Sequence, residues 1–285
     1  MTHPSRKVFF VAFTVPHSLS PSRVDAFTNC PLQFRFASIE RLPEPPSTHA
    51  TKGSLVHRAL ELLMCRHASE RDAATLATCL DQAVSEFKTD PEFTGLGLTD
   101  EQTESFVTDA AALTRNYLAM EDPRLVREIG LELRLEANVG GLALRGIIDR
   151  LDLTESGELI VTDYKTGRPP FQQREQAKLG GVHFYAFLCH EVLGRRPDRV
   201  RLMYLRTGET IEAIPTEQSV RFLTRRTAAV WQAVEKACTT GDFRPRQSAL
   251  CKSCAYQQWC PAFGGDPELA AAEAPLVYGT VAAAA

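Results

Sequence analysis

No stretch of this 285-residue chain approaches the ~20 consecutive apolar residues that would span a membrane, so the chain is expected to be soluble. The opening segment RKVFFVAFTVPHSLSPS has a basic start and an apolar core. That core runs only from Val8 to Val15 and no small-residue cleavage pattern follows it, so it reads as an opening strand and not as a secretory signal. An excess of basic charge is missing too. Lys and Arg number 32 against 35 Asp and Glu, a formal charge of −3, and any surface for phosphates must therefore be local. No G-x-x-x-x-G-K-[ST] occurs, which excludes a nucleotide-driven motor within the chain, and no G-x-G-x-x-G follows a strand, which weighs against nicotinamide or flavin redox chemistry. There is no internal repeat. Eight cysteines without a secretory signal fit a reducing cytoplasm, where metal binding or burial explains thiols better than disulfides do. Cys65, Cys79, Cys189 and Cys238 fall in helix-like segments and read as buried fillers.

What is present suffices for a substantial core, since 44% of the chain is apolar and 24% charged. LSPSRVDAFTNCPLQFRF opens a short helix, with Ser20 as its cap and Pro21 at its first position, and a second turn signal at Cys30-Pro31. LPEPPSTHATKG reads as a loop. SLVHRALELLMCRHA, DAATLATCLDQAVSEF and DEQTESFVTDAAALTRNYLAM then carry apolar residues at helical spacing, making a helical part from about 20 to 125. The period changes in IGLELRLEANVGGLALRGIIDRLDLTESGELIVTDYKTG, which alternates apolar and polar residues and breaks at Gly140-Gly141 and around Ser156. It reads as a three-stranded antiparallel meander. A helix over about 172–192, a strand RVRLMYLRTG and a helix over 217–239 complete a core spanning about 126–240. The cysteine segment 251–263 follows, and 264–285 reads as a poorly ordered tail.

The meander concentrates charge. If its second turn is centred on Ser156, residues whose numbers sum to 312 face each other, and Asp149 lies opposite Asp163. Lys165 shares the face of Asp163, beyond Leu151, Leu153, Leu159 and Val161. A tight Gly140-Gly141 turn pairs residues summing to 281 and sets Glu132 opposite Asp149, a placement that a one-residue slip would reverse. The bland reading is a salt bridge at a strand end. Two close carboxylates repel, however, and one lysine compensates only one of them. Hard oxygen ligands beside a lysine suit Mg²⁺ or Mn²⁺, which can make a nucleophile of bound water and stabilise charge on a phosphoryl oxygen.

A second constellation is CKSCAYQQWCPAF, in which Cys251, Cys254 and Cys260 stand at a C-x2-C-x5-C spacing, one thiolate short of the usual four. Basic residues cluster at Arg195, Arg196, Arg199 and Arg201 and at Arg221, Arg225 and Arg226. They read as solvated faces, with a DNA track the less common meaning.

GIIDRLDLTESGELIVTDYKTG resembles the D…(D/E)-x-K core of the PD-(D/E)XK nuclease superfamily. With KGSLVHRALELL and the cysteine pattern, the chain resembles RecB-family exonucleases and the nuclease domains of AddAB-type helicase–nucleases. The resemblance implies an α/β fold over 18–263, with a restriction-endonuclease-like core whose central mixed sheet is flanked by helices. It implies metal ligation by His57, Asp149, Asp163 and the backbone carbonyl of Tyr164, with Lys165 orienting and acidifying the attacking water and Glu132 as a further catalytic candidate. A fourth cysteine, Cys30 in TNCPLQFRF, would join Cys251, Cys254 and Cys260 around a [4Fe–4S] cluster that ties the N- and C-terminal segments together. Zn²⁺ at the same four cysteines is the alternative. Where relatives often carry a Gln four residues before a Tyr, Gly181 precedes Tyr185 here; Tyr185 and Gln176, the nearest glutamine, are the DNA-contact candidates. The implied activity is metal-dependent hydrolysis of DNA in repair or recombination, with DNA and a separate helicase or recombination protein as partners. A non-catalytic DNA-binding or docking module is the rival.

Overall fold

The structure is a computed structural model that describes residues 12–139, 142–169 and 175–279, and the side chains of these except 139 and 175–182. In chain order its elements are β1 (Ser18–Leu19), α1 (Pro21–Asn29), α2 (Pro31–Phe34), α3 (Thr48–Met64), α4 (Ala73–Phe87), α5 (Pro91–Thr94), α6 (Asp100–Met120), β2 (Glu128–Val139), β3 (Leu142–Leu153), β4 (Leu159–Lys165), α7 (Glu175–Leu193), β5 (Arg199–Tyr204), β6 (Glu209–Ala213), α8 (Glu217–Thr240) and α9 (Ala270–Tyr278). Among the described residues no helix is long and apolar enough to cross a membrane.

Local chemistry sets the helix starts. Ser20 accepts the Arg23 N–H ahead of Pro21, Asp72 accepts from Thr75 at the start of α4, and Thr99 with Gln102 forms a capping box for α6. Helix α3 begins earlier than the apolar periodicity suggests. The segment 42–53 reads as loop, yet Thr48–Gly53 are helical because Ser47 caps the Ala50 N–H. Gly53 within it faces Thr166, whose Oγ1 would lie in ordinary van der Waals contact, 3.5 Å, with a Cβ there.

Other expectations are corrected. Ala12–Val15 form no strand, and only Ser18–Leu19 extend as β1; the rest of the expected opening strand lies outside the described residues. Strand β6 is additional. Cys65 is exposed, because it terminates α3 instead of lining its inner face, while Cys79, Cys189 and Cys238 are buried. The segment after 263 is not wholly without structure, for it contains α9.

The chain divides into two compact units. The larger one, Pro45–Ala137 with Leu144–Leu223, holds a sheet in the order β2-β3-β4-β5-β6. Strand β4 runs antiparallel to β3 and parallel to β5, and β5 runs antiparallel to β6, so this is a mixed sheet. Helices α3, α4 and α6 pack into one apolar cluster with Tyr164 and Met203 from the strands and Leu205 from the turn after β5. The β3–β4 register pairs Leu153 with Leu159 and Arg150 with Thr162, the sum of 312 that the turn arithmetic requires. From just before β2 and along it the exposed positions change parity, from Arg127 and Ile129 to Arg134, Glu136 and Asn138. The change falls at Glu132, whose φ of 43° lies in the left-handed region. A bulge-like kink there re-aims one side chain and shifts the phase of the rest.

The smaller unit comprises Met1–Glu44, Asn138–Ala143 and Thr224–Ala285. Its interior is aromatic. Phe27 meets Phe34 edge-on at 5.2 Å, Phe36 lies 5.3 Å from Tyr256, and the Tyr256 hydroxyl donates to the Leu42 carbonyl at 2.9 Å. Helix α9 is held to the cysteine segment by Trp259 Nε1 donating to Glu273 (2.8 Å) and Tyr278 donating to the Ala255 carbonyl.

Candidate active site

Three elements of the larger unit bring acceptors together. His57 comes from α3, Glu132 from the kink in β2 and Asp149 from β3, with ligand atoms all within 4.8 Å of one another. Strand β4 adds Asp163 and Lys165 beside them. Continued one pair past Arg150 and Thr162, the strand register sets Asp149 opposite Asp163. At that point the Asp149 carboxylate itself takes the Tyr164 N–H, at 2.7 Å. The Tyr164 carbonyl meets His57 Nε2 at 2.9 Å.

Because a carbonyl can only accept, that contact puts the His57 proton on Nε2 and leaves Nδ1 as a lone pair. Burial also lowers the His57 pKa, outweighing the nearby Asp163 and Glu132 charges, which keeps the ring neutral. Nδ1 then faces Asp149 Oδ2 at 3.6 Å, acceptor towards acceptor. Glu132 is pushed up to about 7, by burial and then by the Asp149 charge. Asp149 is raised well above the carboxylate range, by burial and then by Asp163. These groups resist ionising together, and a cation among them removes the conflict. A neutral imidazole with hard carboxylates is a donor set that fits a divalent ion such as Mg²⁺ or Mn²⁺.

Asp163 also has partners of its own. Its side chain is buried, with Lys165 Nζ 2.5 Å from Oδ2 and the Tyr185 hydroxyl 3.4 Å from Oδ1. Burial works against the Lys165 charge, but the Asp163 carboxylate and its hydrogen bond more than offset it, and the net shift is upward. Lys165 is therefore an ammonium, a fixed positive charge at the edge of the acceptor cluster.

Tyr185, on α7, thus contacts an acid of the site. Gln176 lies in the same helix, and its side chain is outside the described residues. The basic clusters are largely neutralised. Arg195 pairs with Asp198, Arg199 with Glu158 and Glu212, Arg201 with Glu121 and Asp152, and Arg221 with Glu217. In the smaller unit Arg226 lies 3.8 Å from Asp25. A buried polar cluster around Arg150, on β3, escaped the sequence reading; the only signal for it is the Arg150-x-Asp152 pair on one face of that strand.

The four cysteines belong to the smaller unit and line a single cavity together with Phe36, Tyr256 and Phe263. Backbone N–H groups point at their sulfurs, from Arg246 to Cys30 at 3.5 Å and from Ser248 to Cys251 at 3.4 Å. Tyr256 and Trp259 are buried, while Phe263 remains 49% exposed.

In comparisons with known proteins, no curated protein matches the chain. A solved structure from Eubacterium rectale, named "Putative exonuclease", superposes with a TM-score of 0.56 at 10% identity, over 89% of this chain and 92% of that one; at this identity the likeness is one of fold. The structure of SSO0001 aligns over 88% of each chain at 14% identity, with a TM-score of 0.39. The family model for the PD-(D/E)XK nuclease superfamily matches residues 18–261. With most of its length covered by that match, and an acidic site built on a mixed sheet, the chain belongs to the PD-(D/E)XK nuclease superfamily.

Proposed function

We propose that this protein is a metal-dependent deoxyribonuclease, a RecB-like exonuclease that hydrolyses phosphodiester bonds of DNA in repair or recombination. The observation that carries the reading is the convergence of His57, Glu132 and Asp149 beside the Asp163–Lys165 pair. His57, Asp149 and Asp163 would hold Mg²⁺ or Mn²⁺, with Glu132 at the same cluster and the Tyr164 carbonyl adding an oxygen. A divalent ion bound there supplies positive charge to a phosphoryl oxygen and lowers the pKa of coordinated water. The Lys165 ammonium orients the attacking water and offsets negative charge developing on the phosphate. Asp163 holds Lys165 in place, and Tyr185 fixes the second Asp163 oxygen. A silent docking module has no use for acids that repel one another in the absence of a cation.

The same proposal gives Cys30, Cys251, Cys254 and Cys260 a [4Fe–4S] cluster. Backbone donors to sulfur support bound thiolates. Zn²⁺ at the same four cysteines is the alternative, and the metal content of anaerobically purified protein decides between them.

The test is incubation of pure protein with end-labelled single- and double-stranded DNA in Mg²⁺, Mn²⁺ or EDTA. Cleavage with either metal and none in EDTA is expected, falling about a hundredfold or more in Asp163→Ala and Lys165→Ala. Unchanged cleavage by either folded variant removes its catalytic assignment. DNA binding without cleavage under every condition leaves the docking module.

A further inference from the structure

We propose that Arg150 is a positioning residue for this site, acting from the opposite side of the sheet by holding Tyr164. The inference rests on the reading of the acceptor cluster as a metal site. Side chains alternate along β4, so Asp163 and Lys165 face one way and the Tyr164 ring the other, into the apolar cluster of α3, α4 and α6. The Tyr164 main chain stays in the site. Its N–H holds Asp149 and its C=O meets His57, so one residue orients two of the three grouped side chains.

What fixes Tyr164 lies behind it. Arg150 Nη1 donates to the Tyr164 hydroxyl at 2.7 Å and to the Tyr117 hydroxyl at 3.2 Å. The guanidinium, 0% exposed, is gripped by Asp152 through Nε (2.8 Å) and Nη2 (3.0 Å) and by Glu121 through Nη1 (2.5 Å) and Nη2 (3.2 Å). Arg201 approaches the same two carboxylates at 3.4 and 3.5 Å, balancing two cations against two anions. The Tyr164 ring is also held edge-on by Tyr117 at 5.6 Å and by His57 at 6.0 Å. Glu121, Asp152 and Tyr117 would by themselves satisfy a buried arginine as a matter of folding. The additional bond to Tyr164 is the link to the site. A sideways movement of that ring displaces the partner groups of Asp149 and His57 together, and such outlying contacts typically govern metal affinity.

Tyr164→Phe removes the hydroxyl and keeps the backbone, ring and acceptor cluster. Tyr117→Phe is its control, because it also takes a hydroxyl from Arg150 but leaves Tyr164 tied. Mn²⁺ binding to the purified full chain is measured by the loss of the free-ion EPR signal, beside the metal dependence of DNA cleavage. The expected result is that Tyr164→Phe weakens Mn²⁺ binding about tenfold and raises the half-maximal metal concentration equally. Tyr117→Phe binds Mn²⁺ as wild type does. Equal affinity in Tyr164→Phe and wild type, or equal weakening in both variants, overturns the role of Arg150 while the metal reading stands. Absence of Mn²⁺ binding by the wild-type protein overturns the metal reading, and this proposal with it. Should Tyr164→Phe fail to fold, Glu121→Gln, which loosens the grip on Arg150 and leaves Tyr164 intact, is read by the same criterion: weakened binding supports the role and unaltered affinity overturns it.

Discussion

Glu132 and Asp149 hold protons more tightly in the folded chain than free carboxylates do, and the sign of the consequence is fixed. A group whose folded pKa is raised contributes stability below its unfolded pKa and loses it as pH climbs through the folded value. Without metal, the protein should become less stable between about pH 4.5, the ordinary glutamate value, and about 7, where folded Glu132 ionises. Thermal unfolding in EDTA should show a midpoint lower by a few degrees at pH 8 than at pH 5. Mg²⁺ should restore most of the loss at pH 8 and little at pH 5; a flat pH profile in EDTA would contradict the crowding of these acids. Much of this site was legible in the sequence, because a period of two and one turn position set Asp149 against Asp163 and put Lys165 beside them. Arg150 was not. Alternation assigns a side chain to a face without revealing that the interior on that face is polar, and the partners Tyr117 and Glu121 come from the end of a helix remote in sequence and the residue that caps it.

At the scale of elements, the kink in β2 decides whether Glu132 reaches the site. Turn arithmetic across Gly140-Gly141 pointed to this residue, but nothing local announces a left-handed backbone at a glutamate, a conformation usually left to Gly or Asn. Its cost is of order 1–3 kcal/mol and is borne where function needs a re-aimed side chain. Two variants separate backbone from carboxylate, since both Glu132→Ala and Glu132→Gly remove the acid and only glycine relieves the backbone. Glu132→Gly should be the more stable, by about 1 kcal/mol in urea unfolding, whereas in a regular strand alanine would win. Helices proved easy to read where caps and apolar periods agree, as in α6. Strand β6 was missed because ETIEA is short and half-exposed, and its only support is pairing with β5.

At the scale of the molecule, the proposed cluster ties Cys30 to cysteines more than two hundred positions later, all within the smaller unit. Closing so long a loop is worth on the order of 5 kcal/mol by chain-entropy reasoning. Replacing Cys30 by Ser should therefore cost as much iron as replacing Cys254, measured on anaerobically purified protein, and should leave α1 and the 251–263 segment protease-sensitive together. Zinc without iron in those preparations would install the alternative ion, and full metal retention without Cys30 would dismiss that residue. The larger unit behaves differently, because β4 lies between two hydrogen-bonded neighbours and only its last residue, Lys165, is not buried. Its amides should be among the slowest in the chain to take up deuterium, with or without a divalent ion. The amides around Glu132, on a kinked strand at the margin of the sheet, should slow only when the ion binds. The protein would then carry its acid–lysine pair on a strand already set before substrate or metal arrives, and leave the adjustable part of the site to β2.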